Sequence, residues 1–176
     1  MKNTKSFKLI VLVTVLSLVF GAMMSIGASA EAEAAVTVDS ANLAYNEMMH
    51  LAVTLECTEE LAEGASLGLI IWNGEAEGEL TAANAIHTTF EEKEDKNGVK
   101  YFISHGIPAP EMGKEFKIAG CIKDADGTVR IGTVVTYSIY EYLNSRIATE
   151  GITPEQLDLY KKTLAYGKAA GAVFAD

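Results

Sequence analysis

His50-Leu-Ala-Val-Thr-Leu-Glu-Cys57 is the run on which the fold turns. Leu51, Val53, Leu55 and Cys57 alternate with Ala52, Thr54 and Glu56, which gives an extended chain one apolar face. Phe116, Ile118, Gly120 and Ile122 repeat that period of two. Leu67-Gly-Leu-Ile-Ile-Trp72 is apolar at nearly every position, as a central strand covered on both faces requires, and Val99-Lys-Tyr-Phe-Ile103 reads the same way. Between these runs, Lys96-Asn97-Gly98-Val99 predicts a tight hairpin in which both central residues take positive φ. Asp124-Ala-Asp-Gly127 predicts a second, joining Phe116–Lys123 to Thr128–Val135. The charged run Glu91–Lys96 reads as a solvated hairpin flank. No helix of crossover length separates the strands, so about seven of them are expected to form an antiparallel, Ig-like β-sandwich.

After Tyr137 the period becomes helical. Ser138 and Glu141 stand at capping-box spacing, and Ile139, Leu143 and Ile147 then share a stripe. Gly151 closes that helix, and Thr153-Pro154-Glu155-Gln156 opens another with a cap, a proline at the first helical position and a second box. Leu157, Tyr160, Leu164, Gly167, Gly171 and Phe174 trace a seam along it that is bare in the middle, where a neighbour can come close. The fold class expected is α+β: a sandwich followed by a C-terminal helical hairpin, over residues 36–176.

The other end of the chain has a different composition. Lys2, Lys5 and Lys8 precede the uncharged run Leu9–Phe20, and Ala28-Ser29-Ala30 supplies the small residues that a signal peptidase reads. Residues 1–30 are therefore expected to be a signal peptide that exports the protein to the cell surface or beyond; the alternative is an uncleaved N-terminal membrane anchor. Residues 31–35 read as a disordered, alanine-rich lead-in. The whole chain of 176 residues carries a net charge of −10, with 14 basic and 24 acidic residues. Loss of the three leader lysines leaves eleven basic residues against the same acidic count. Such a body repels nucleic acid and anionic membrane surfaces. Cys57 and Cys121 are the only cysteines, and after export they would form either one disulfide or two free thiols.

Chemistry is sparse. Setting Gly127 sixth in a calcium loop puts Ile122 first and Thr133 twelfth, so Asp124 and Asp126 belong to a turn and not to a cation site. His50, His87 and His105 lie far apart with no metal-ligand spacing, and no nucleophile elbow, zinc-protease motif or phosphate loop is present. No catalytic residue, metal ligand or cofactor is assigned. Trp72 and Asn73 are the local pair suited to a sugar, the indole stacking on a ring and the amide bonding hydroxyls, although one tryptophan ending an apolar strand also suits a core. Tyr137, Tyr140 and Tyr142 cluster at the strand-to-helix junction; Tyr137 and Tyr140 are the remaining candidate ligand contacts, or else all three are packing residues with their hydroxyls in solvent.

One set of marks carries a resemblance. Gly106-Ile-Pro-Ala-Pro-Glu-Met112, Asp126-Gly127, Thr136-Tyr-Ser-Ile-Tyr-Glu-Tyr142 and Leu164-Ala-Tyr-Gly-Lys-Ala-Ala-Gly-Ala-Val-Phe174 together resemble a module of secreted and cell-surface proteins of anaerobic Gram-positive bacteria. The resemblance implies an accessory module, with no activity attached. The resulting expectation is a non-enzymatic surface binding module whose partner is an envelope component, an extracellular protein or a glycan. A carbohydrate-binding protein using Trp72 and a small secreted hydrolase with a dispersed site are the alternatives.

Overall fold

A computed structural model describes residues 34–45 and 48–174; the proposed leader and the start of the lead-in lie outside the described residues. The fold is α+β: nine strands in two antiparallel sheets, with helical structure at the C-terminus. β1 (Val36–Tyr45), β2 (Met49–Cys57), β6 (Lys100–Ile103) and β5 (Glu92–Glu94) form the first sheet in the order β1-β2-β6-β5. The second runs β4 (His87–Thr89), β3 (Ser66–Asn73), β7 (Glu115–Lys123), and both β8 (Val129–Ile131) and β9 (Val135–Ser138) pair with β7. The strand expected over Thr128–Val135 is thus split. Gly132 bends it because the chain there passes against the Val36 carbonyl, leaving no room for a Cβ.

Alternation sorts the side chains as the sequence implies. Leu51, Val53 and Phe102 of the first sheet share one core with Leu69, Ile71, Phe116 and Ile118 of the second, joined by Ile139, Leu143 and Leu164 from the helices. Each such fully buried side chain contributes about 1.5–3 kcal/mol. β3 is covered on its other face too: Ile70, Trp72, Ala119 and Cys121 pack beneath Leu80, Ala85, Phe90 and Ile131.

Parity also decides the cysteines. Gly120 faces Val36 and Leu55 of the first sheet, so Cys121, one residue on, points to the opposite face. Cys57, whose Sγ donates to the Glu59 carbonyl, belongs to the first sheet. No bridge joins them; both are free thiols.

Both hairpins form, the first with a turn other than the one expected. In Asp95–Gly98 the Gly98 N–H donates to the Asp95 carbonyl at 3.1 Å, and Gly98 alone takes positive φ. Asp95 Oδ1 accepts from Asn97 and Val99 N–H, at 2.7 and 3.0 Å. Asn97 therefore stays right-handed, and the turn is type I followed by a left-handed glycine. Asp124–Gly127 shares the backbone turn, the Gly127 N–H donating to the Asp124 carbonyl at 2.9 Å and Gly127 taking positive φ, but here the third residue's carboxylate, Asp126 Oδ1, accepts from Thr128 N–H.

α1 (Ile139–Ile147) starts at Ser138, whose hydroxyl accepts from the Glu141 N–H, and α2 (Pro154–Phe174) starts at a complete Thr153/Gln156 box. The seam of α2 differs from expectation at its end. Leu164, Gly167 and Ala170 are buried, whereas Phe174 is 69% exposed. The close approach falls at Gly167, where a Cβ would stand 2.7 Å from Met112 Sδ; at Gly171 the nearest atom, the Pro110 carbonyl oxygen, is 3.8 Å away.

Candidate functional site

Of the expected ligand residues, Trp72 is disqualified by burial. It is 0% exposed, and its Nε1 donates to the Thr81 carbonyl at 2.9 Å and to Asn84 Oδ1 at 3.0 Å. The segment after β3 folds back over the indole, and Asn84 ties that segment down through Thr81 and Glu79. A ring sealed this way cannot stack on a sugar. Asn73 is exposed, but it sits opposite Phe116 and Tyr137 in the sheet register, on the other parity from Trp72.

The tyrosines separate as well. Tyr137 turns inward, its ring 6.1 Å from Tyr142, and Tyr142 meets Tyr160 edge-on at 6.5 Å. The Tyr137 hydroxyl is buried without a hydrogen-bond partner, contrary to the expectation that it reaches solvent. Burial pushes it well above the ordinary tyrosine range, with Tyr142 and Tyr45 adding to the shift. Tyr142 is pushed up to about 12 for the same first reason. Tyr140 instead packs toward Gly113. Trp72, Asn73, Tyr137 and Tyr140 are therefore not one site.

What the fold does assemble is a groove of about 370 Å³ between the β1–β2 end, the 107–112 segment and α2. Tyr45, Met48, Met49, Ile107, Met112 and Tyr166 line it, with Pro108, Ala109 and Thr163, and among the described residues no charged side chain takes part. Met48 is 53% exposed and Tyr166 67%. Methionine thioethers and tyrosine rings suit an adaptable contact surface, since the former repack cheaply and the latter present area at little entropic cost. The larger depression, about 510 Å³, lies where residues 79–83 cross β8 and is the outer side of the cover over Trp72.

Behind the groove is an arrangement that sequence spacing hides. Ser104, 3% exposed, follows β6 and holds β2: its hydroxyl accepts from the Leu51 N–H at 2.9 Å and donates to the His105 carbonyl at 2.7 Å. His50 Nδ1 meets the Ser104 carbonyl at 2.8 Å. His87, opposite Ile71 on β3, brings its ring to 5.1 Å from that of His105, inclined by 49°. All three histidines thus converge, although 55 positions separate the first from the last. Ser104 spends its hydroxyl on backbone groups, so the cluster is a joint and not a nucleophile–base pair. Among the described residues no group of three or more His, Cys, Asp or Glu is placed to hold a metal ion.

No family model matches this chain, and neither a curated protein nor a solved structure matches it.

Proposed function

We propose that the chain is a non-enzymatic binding module of a bacterial envelope, secreted or held at the cell surface, and that it grips a protein partner through the methionine- and tyrosine-lined groove between β1–β2, residues 107–112 and α2. The observation that carries this reading is the exposure of Met48 and Tyr166 on a concave surface lined, among the described residues, by methionine, tyrosine and small apolar side chains. Large apolar side chains left in water around a concavity are a common mark of an interaction site. The apolar surface continues along α2 through Leu159, Val173 and Phe174, which are 43%, 71% and 69% exposed. Export rests on the leader-like composition of residues 1–30.

An Ig-like sandwich closed by a helical hairpin is the finer architecture we favour. Lettering β1, β2, β3, β4, β5, β6 and β7 as A, B, C, C′, D, E and F, with β8 and β9 together as G, the sheet orders read A-B-E-D and C′-C-F-G, the Ig arrangement. The buried Trp72 on the third strand agrees with it.

Capture of envelope material on the immobilised protein tests the function. Tyr166→Ser and Met48→Ser, both at exposed positions, should leave the melting temperature unchanged and reduce the captured species at least tenfold. Undiminished capture by both variants would exclude the groove.

A further inference from the structure

His87 and His105 are an unusual pair. Each carries a ring nitrogen, Nε2 of His87 and Nδ1 of His105, that is shielded from solvent and has no hydrogen-bond partner. The rings face each other at 5.1 Å across the junction between β4 and the 104–106 segment. Around them β3 presents Ile71, the Ile103 backbone lies beside His87, and β2 presents His50 on the far side of Ser104. Among the described residues the titratable group whose charge acts on His87 is His105 itself, and no carboxylate contributes. Two neutral imidazoles fit this junction. One imidazolium there stands beside a second ring with nothing to balance it.

The segment that follows is the groove wall. His105 leads through Gly106 into Ile107, whose N–H donates to the Met49 carbonyl at 2.8 Å, and Ile107, Pro108 and Ala109 line the groove opposite Tyr166. Gly106 lies against the Met48 thioether, so closely that a Cβ would stand 2.5 Å from its methyl. Movement at His105 is therefore passed on to both lips.

We propose that the His87–His105 pair is an acid-sensitive latch: with both rings neutral it holds the 104–109 segment against β4 and shapes the groove, and protonation of either ring separates them and displaces the groove wall. Its use in partner binding rests on the groove reading; the motion itself does not. The direction agrees with the environment, because burial first, and His105 second, hold His87 below its ordinary 6.5.

The test is NMR of the purified protein with labelled methionine methyls and histidine rings, titrated from neutral to mildly acid pH. The His87 ring should titrate below 6.5, and the methyls of Met48, Met49 and Met112 should move with the same midpoint. His87→Gln and His105→Gln, checked as folded by methyl dispersion at neutral pH, should each abolish that methyl transition. Methyls that stay fixed while His87 titrates, or a His87 ring that titrates at the ordinary value, would overturn the latch, and the wild-type protein alone yields both readouts. No partner is needed. Fixed methyls with intact capture sink the latch and spare the groove; moving methyls with capture unaffected by Tyr166→Ser and Met48→Ser do the reverse.

Discussion

At the scale of single residues, the sharpest contrast is between an indole with its polar atom satisfied and a phenol without. Trp72 gives its N–H to two acceptors and fills the space under residues 76–90, so Trp72→Phe should cost roughly 1–3 kcal/mol in denaturant unfolding, from lost packing and lost hydrogen bonds together. Its fluorescence should not respond to added oligosaccharides; a saturable change would restore the sugar reading. Tyr137 carries the opposite imbalance, a hydroxyl with no partner. Tyr137→Phe keeps the ring and removes the orphan, so it should unfold at equal or higher denaturant, by up to about 1–2 kcal/mol. The cysteines follow from side-chain parity. Cys121 lies in an apolar cluster with its thiol pushed up to about 11 by burial, so it should resist alkylation until the protein unfolds, and a reductant should leave the melting curve unchanged.

At the scale of elements, local chemistry was legible and distant chemistry was not. Ser138, Thr153 and Gln156 announce their helix starts because a cap involves neighbours three residues away. Both Asp-initiated turns are where the sequence puts them, but the first differs in type, since Asn97-Gly98 also occurs in mirror-image hairpins and the deciding acceptor, Asp95 Oδ1, comes one residue before the segment read as the turn. On α2 the seam spacing marked two bare positions without telling them apart, because only the tertiary partner does that. Met112 crowds Gly167, and nothing crowds Gly171. Gly167→Leu should therefore destabilise by about 1–3 kcal/mol, whereas Gly171→Ala should be neutral or stabilising by up to about 1 kcal/mol. Thermal melts of the pair decide it, and equal losses would contradict the packing described.

At the scale of the molecule, strand positions and helices could be read from periodicity, and the candidate site could not. The histidine joint needs β2, β4 and the end of β6 to meet, and the groove needs α2 to cross the 107–112 segment; neither pairing leaves a trace in local spacing. The tyrosine cluster has a global consequence for stability. Tyr45, Tyr137 and Tyr142 all have raised values in the fold, so the contribution of their neutral forms is fully present below about 10 and is lost as pH rises past it, when the unfolded chain releases protons that the folded one retains. Melting temperature should fall above pH 10, and less steeply in Tyr137→Phe.

The shared core also imposes an order of events on synthesis. Ile139, Leu143 and Leu164 sit among Leu51, Val53, Ile71 and Phe116, yet they leave the ribosome more than eighty residues after Val53. The open flank of β1 is likewise closed late, by the Thr133 N–H on the Val36 carbonyl and by Tyr142, which packs with Leu43 against the shared core. A nascent chain that has made every strand still exposes a wet interior and an unsheathed edge, the state most prone to intermolecular pairing. Chains terminated after Ala148 should be cut rapidly by protease and should aggregate, while the chain extended through Phe174 resists both. The last helix is thus the step that converts a sticky intermediate into a finished molecule.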